Sequence, residues 1–263
     1  MTIVETHTTH REVELLDTLR SFGGSARTAN LAETMQVSEE TVRRTVKALA
    51  QAGLVQRVHG GVYLSNTEAL APVNTRLSKR SEEKARIAKA TAALIPNGSS
   101  LFLDVGSTTA YVAEALKQHR DLTIVTNALH PAQTLVNVNG NRVFLAGGEL
   151  GVVENGAFGP ETLAYVARFN IDTAVISIDG FDAASGFLLA GSAEADLARA
   201  VTTRARRSIV VSDATKFGQS APMVACSPEN VDMVITDQPL RSSFTKKLAA
   251  WDIEVTVAKE GGA

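Results

Sequence analysis

The sequence predicts two folds in one chain. A small helical head with a β-hairpin spans residues 1–65, and an α/β domain with a mostly parallel sheet spans residues 81–263. Three observations predict this. Helix-like apolar spacing fills the stretch before Gly53 and gives way to a β-rich segment around a glycine pair. After Ser99, short Val/Ile-rich runs recur without period-two alternation, as strands covered on both faces require. Helical patterns separate those runs, which is the rhythm of a parallel sheet.

The head is justified element by element. "HREVELLDTLRSFGG" sets Val13, Leu15, Leu16 and Leu19 at helical spacing and closes on Gly23–Gly24. "TANLAETM" is a second short helix with Thr28 placed to cap it, and "QVS" is a tight connection. Ser38 caps "EETVRRTVKALAQAG", in which Val42, Val46, Leu49 and Ala50 make one face and Gly53 ends the helix. "LVQRVHGGVYLS" reads as two strands around a Gly60–Gly61 turn. Helix, helix, short turn, helix, hairpin is the order of a winged helix-turn-helix. Residues 66–80 have weak periodicity and one proline, and read as a linker. "SEEKARIAKATAALI" then predicts a long helix.

The strand candidates of the second domain are "SLFLDV", "LTIVTN", "RVFLAG", "TAVISID", "SIVVSD", "DMVITD" and "IEVTVA". The helices between them include "TAYVAEALKQH", "HPAQTLVNV", "PETLAYVARF", "AEADLARAVTTRA" and "RSSFTKKLAAW". The fold class is therefore α/β: an N-terminal winged helix-turn-helix followed by a mostly parallel α/β domain.

Composition narrows the function. The chain has 263 residues and 44% hydrophobic content, enough for more than one core. There is no apolar run near the length of a membrane span, and the polar N-terminus lacks the pattern of a signal peptide. The single cysteine, Cys226, has no internal disulfide partner and reads as a packing residue. A cytoplasmic protein without membrane contact is expected. The net charge of −2 does not advertise a nucleic-acid binder, so such a reading rests on local charge. Residues 1–66 hold seven Lys/Arg against seven Asp/Glu, yet Thr41 to His59 contains Arg43, Arg44, Lys47 and Arg57 and no acid. Basic charge thus gathers on the third helix and the wing, as it does where one face meets DNA phosphates. Arg43 and Lys47, four residues apart, share a helix face. Arginine can fork onto guanine. Ser38 and Thr41 suit phosphate oxygens, and Arg57 and His59 would carry the wing to the backbone or minor groove.

A second constellation stands at predicted strand ends. Asp104, Gly106, Ser107, Thr108 and Thr109 form a strand-to-helix corner whose small residues and hydroxyls fit an anion at a helix start. Thr126, Asn127, Gly147, Gly148, Asp179 and Asp182 occupy comparable ends, and Lys216 lies in "DATKFG". Asp179, Asp182 and Glu194 suit sugar hydroxyls, and Lys216 suits holding phosphate or polarising a carbonyl, with Arg80 or Lys84 expected near the phosphate. Neither a Walker loop nor a dinucleotide fingerprint occurs in context, so no nucleotide cofactor is expected. The five histidines fit no metal motif, and no serine-nucleophile elbow is present.

These residues resemble the DeoR family of bacterial sugar-responsive transcription regulators. The head matches in Leu31-Ala32, Val37-Ser38, Thr41 to Arg44, Gly53-Leu54, Arg57 and His59 to Gly61. The second domain matches in Arg80, Lys84, Leu103-Asp104, Gly106 to Thr109, Thr126-Asn127, Gly147-Gly148, Asp179-Gly180 and Asp213 to Gly218. One departure is Thr45-Val46, where the family usually carries Asp-Leu after its two arginines. The resemblance implies a repressor of a carbohydrate or polyol operon. Its partners would be double-stranded operator DNA and a phosphorylated sugar or polyol, and it would act as a homodimer or homotetramer. The effector domain of that family is similar to ribose-5-phosphate isomerase, which supplies a rival: a sugar-phosphate isomerase carrying a DNA-binding head. Against catalysis, "DAASGFLLAGSAEAD" has no basic residue where that enzyme carries a lysine. A third reading keeps the second domain for oligomerisation alone.

Overall fold

The computed structural model describes residues 9–22, 25–58, 61–64, 72–151, 153–219 and 221–259. The chain divides into two compact units, Met1–Pro72 and Val73–Ala263.

The first unit runs α1 (His10–Ser21), β1 (Ser25–Arg27), α2 (Thr28–Thr34), α3 (Glu39–Gln51), β2 (Val55–Val58) and β3 (Gly61–Leu64). Leu15, Leu16 and Leu19 of α1 pack with Leu31, Val42, Val46, Leu49, Val55 and Val62 in one core. Ser38 caps α3, its Oγ accepting from Thr41 N at 3.2 Å. Thr28 does not cap α2. It lies inside the helix, and the capping residue is Arg27, which offers no side-chain bond. β1 is an added strand, antiparallel to β3. At three residues it is too short to carry a period-two signal. Val58 lies opposite Gly61, so the hairpin's two-residue connection is 59–60, one residue earlier than the Gly60–Gly61 turn expected. That connection, with His59, lies outside the described residues.

The second unit opens with α4 (Val73–Leu77) and α5 (Ser81–Ala92). The expected linker, 66–80, is therefore partly helix. Val73 and Arg76 of α4 are buried, which ties this stretch to the second unit. Seven strands follow: β4 (Ser100–Leu103), β5 (Thr123–Thr126), β6 (Arg142–Leu145), β9 (Thr173–Ser177), β12 (Arg207–Val211), β14 (Met233–Thr236) and β15 (Glu254–Val257). They form one sheet of order β15-β14-β12-β9-β4-β5-β6, parallel throughout. Each of the seven apolar runs supplies one strand. The five inner strands are covered on both faces, which is why their runs do not alternate, whereas the edge strands β6 and β15 are partly exposed. Leu101 and Leu103 of β4 join the cluster containing Ile87, Val112 and Leu116, whereas Phe102 points into another with Val125, Ala174 and Leu197. The crossover helices are α6 (Ser107–Leu116), α7 (Leu129–Leu135), α8 (Pro160–Val166), α9 (Ser192–Thr202) and α10 (Ser242–Ala250).

Two antiparallel additions went unanticipated. β7 (Glu149–Leu150) pairs with β8 (Ala157–Phe158), and β10 (Gly180–Asp182), β11 (Gly186–Leu189) and β13 (Met223–Cys226) form a small sheet. Phe181 anchors that sheet with Phe187, Phe217, Phe244 and Trp251, ring centroids lying 5.0 to 6.1 Å away. Cys226 is buried there, and burial pushes its thiol up to about 12, so it packs rather than reacts. Among the described residues no helix is long and apolar enough to cross a membrane.

The strand order places the site. From β4 the chain builds outward through β5 to β6, then returns to β9 on the other side of β4 and builds through β12, β14 and β15. The order thus reverses between β4 and β9. Open parallel sheets bind ligands beyond the carboxyl ends of strands at such a reversal.

Candidate functional site

The loop leaving β4 at the reversal is Asp104 to Gly106, and α6 begins at Ser107. Gly106 has φ +125°, and a Cβ there would fall on the Ser177 hydroxyl at the end of β9. Only glycine turns the chain so close to the neighbouring strand. Ser177 Oγ in turn donates to Val105 O at 3.0 Å, tying the two strand ends together. Ser107, Thr108 and Thr109 are buried. Their N–H groups have no acceptor among the described residues, as expected of a helix's first turn. Thr109 Oγ1 donates to Gly106 O at 3.0 Å. What remains is a buried cluster of helix-start donors.

Asp104 lies beside them. Burial pushes its pKa up to about 8, against the bond it accepts from Val105 N at 2.8 Å. At neutral pH it mostly carries a proton, so an anion at the corner meets a neutral acid. Asp179, on the loop after β9, is buried and accepts from Ala190 N at 2.9 Å. Glu194, in the first turn of α9, has its pKa raised well above the ordinary carboxylate range by burial and by the charges of Glu154 and Asp179.

Two partners of this cluster escaped the sequence reading. Arg76 of α4 and Glu154 of the loop between β7 and β8 are both buried, and Arg76 Nη2 bonds to both carboxylate oxygens. Burial opposes the arginine's charge, but Glu154, Asp179 and Glu194 outweigh it and hold its pKa above the usual arginine value. A cavity of about 200 Å³ opens between α4 and the start of α7, lined by Asn74, Gly106, His130, Gln133, Glu154 and Asn155 among others. His130 had been set aside with the other histidines. Arg76 looked like linker charge. A carboxylate in the apolar "GVVENG" was the available signal for Glu154.

The remaining expected residues divide. Lys216 sits in a short 3-10 turn, and its ammonium has no hydrogen bond or ion pair among the described residues, though its charge reaches Glu154. Arg80 caps α5 at φ +51°, its Nε 4.0 Å from Asp213 Oδ1. Lys84 is buried, and its Nζ donates to the carbonyls of Arg76 and Lys79 at 2.5 and 2.6 Å, closing the end of α4. Thr126 donates to Leu103 O at 2.6 Å, and Asn127 donates to Ala157 O at 3.0 Å; both bind strand ends together. Gly147 and Gly148 lie between β6 and β7. Gly147 O accepts from Thr162 Oγ1 at 2.6 Å, and Gly148, at φ +148°, packs against Phe158 O. Asp182 closes the hairpin between β10 and β11, accepting from Ala184 N and Ser185 N at 2.9 Å. Those bonds hold its carboxyl below the usual range.

In the first unit, Val42, Val46 and Leu49 commit one face of α3 to the core, so Arg44 stands on the opposite side. Arg44 and Lys47 are exposed and make no ion pair among the described residues. Arg43 is held by Glu39 at 2.6 Å and reaches Glu40 at 3.8 Å. Arg57 is exposed on β2. Thr45 is buried and donates to Thr41 O at 3.0 Å. A carboxylate there would need a cation; threonine satisfies itself.

Comparison with known proteins agrees with this layout. Residues 11–68 match the DeoR-like helix-turn-helix domain and residues 79–238 the DeoR C terminal sensor domain. The glycerol-3-phosphate regulon repressor of Escherichia coli K12 is 39% identical over 88% of this chain and 92% of its own. The transcriptional repressor CsqR of the same organism is 31% identical over 88% of each chain. AccR of Agrobacterium fabrum is 31% identical over 89% of this chain and 92% of its own. The likeness to a solved ribose-5-phosphate isomerase in complex with phospho-erythronic acid is slight: 19% identity, 52% of this chain and 54% of that one, TM-score 0.39. With both halves matched in order, the chain belongs to the DeoR family of DNA-binding transcriptional regulators and is not an enzyme.

Proposed function

We propose that the chain represses a carbohydrate or polyol operon and is released from its operator by a phosphorylated sugar or polyol held in the second unit. The observation that carries this is the corner at the strand reversal, where Gly106 brings three unpaired, buried N–H groups together beside a neutral Asp104. Such a helix start stabilises an anion by up to ~2 kcal/mol when partly buried, with hydrogen bonds in addition. Asp179, Glu194 and Glu154 supply acceptors for hydroxyl groups, and Lys216 supplies a cation. The printed name of the Escherichia coli relative speaks of a glycerol-3-phosphate regulon, so glycerol-3-phosphate is the first compound to test. Arg76 lies in the first helix after the head, and an effector that competes for it acts where the two units join in sequence. Paired heads on repeated half-sites require a homodimer or homotetramer.

The test is thermal melting with a panel of sugar and polyol phosphates. A compound present at a hundred times its Kd adds ~2.7 kcal/mol of stability and raises the melting temperature. If no compound in the panel shifts it, the receptor reading fails.

A further inference from the structure

The start of α1 and the outer flank of α3 border a cleft of about 330 Å³, lined by Arg11, Glu12, Thr41, Arg44 and Thr45 among others. Its charged groups are not equally free. Glu12 is committed to a reciprocal cap: its Oε2 accepts from Thr9 N at 2.6 Å, and its own N–H donates to Thr9 Oγ1 at 3.3 Å. The Thr45 hydroxyl is spent on the Thr41 carbonyl. Arg44 has no ion pair or hydrogen bond among the described residues. Arg11 pairs with Glu14 at 2.8 Å, three residues along an exposed helix face, and such a pair exchanges readily.

A helix of ~10–12 Å fills a major groove of ~12 Å, so both flanks of a helix that reads bases run beside sugar–phosphate. On one flank of α3, Arg43 is balanced by Glu39 and Glu40. On the other lies this cleft. We propose that it seats a DNA backbone phosphate, for which Arg11 exchanges Glu14, with Thr41 and Arg44 forming the far wall. Arg11 is then a positioning residue, fixing the register of α3 on the duplex without reading sequence. The proposal rests on α3 being the DNA-facing helix.

The test is the salt dependence of binding, measured by anisotropy of two fluorescein-labelled duplexes of unrelated random sequence from 50 to 200 mM KCl. Each phosphate contact contributes about 0.9 to the slope of log K against log salt. Arg11→Gln in the full chain should lower that slope by about 0.9 and weaken both duplexes by the same factor. Lys117→Gln, an exposed change in the second unit, should leave the slope alone. An Arg11→Gln slope equal to wild type overturns the proposal. A wild-type chain that binds neither duplex overturns instead the reading of α3 on which it rests.

Discussion

At the scale of single residues, Asp104 is the most exposed to test. Its folded pKa of about 8 lies far above the ordinary aspartate range, so the folded chain holds a proton that the unfolded chain releases. The stability Asp104 contributes is complete in acid and is lost as pH rises through about 8. Denaturant unfolding between pH 5 and 9 should show stability falling with pH, and Asp104→Asn should flatten the fall. An unchanged slope in Asp104→Asn would place the titration elsewhere. The corner containing this residue was legible because a strand end, a glycine and three hydroxyl residues are contiguous. Lys84 and Asp182 are the opposite case: a charged side chain near a site looks the same in sequence whether it faces a ligand or closes a turn. Only the carbonyls of Arg76 and Lys79, and the amides of Ala184 and Ser185, distinguish the two.

Among the elements, α4 is the one sequence periodicity missed. Five residues after a proline carry no face and no cap, and what makes them helix is remote. Arg76 finds Glu154 across 78 positions of chain. The family matches also stop at 68 and resume at 79, so α4 falls between them. The buried pair makes a distinct prediction. Removing one partner leaves a desolvated charge, so Arg76→Met or Glu154→Gln alone should cost about 3–5 kcal/mol of unfolding free energy. The double change should cost clearly less than the sum of the two. Additive costs in urea unfolding would show that the pair does not act as a unit. The seven sheet strands, by contrast, were readable because each is a local apolar run. The small sheet of β10, β11 and β13 was not, since its strands are defined by antiparallel pairing and by the rings around Phe181.

As a whole molecule, the protein joins a DNA-binding unit to a sensor unit, and the proposed switch is the coupling between them. A coupling of ~1–3 kcal/mol changes DNA affinity by ~5–150-fold, enough to switch an operon. The two-unit plan was plain in sequence because the charge pattern and the hydrophobic rhythm both change between the halves. The proposed coupling was not, because it rests on a ligand and on a helix that periodicity does not mark. The most direct measurement titrates glycerol-3-phosphate and related phosphate esters into the complex with a duplex that the protein itself enriches from a random pool. Wild type should release the DNA with one of these esters, whereas Thr108→Asp, which sets a carboxylate at the α6 corner, should stay bound at the same concentration. Release by both proteins alike, or by neither with any ester, would contradict the account.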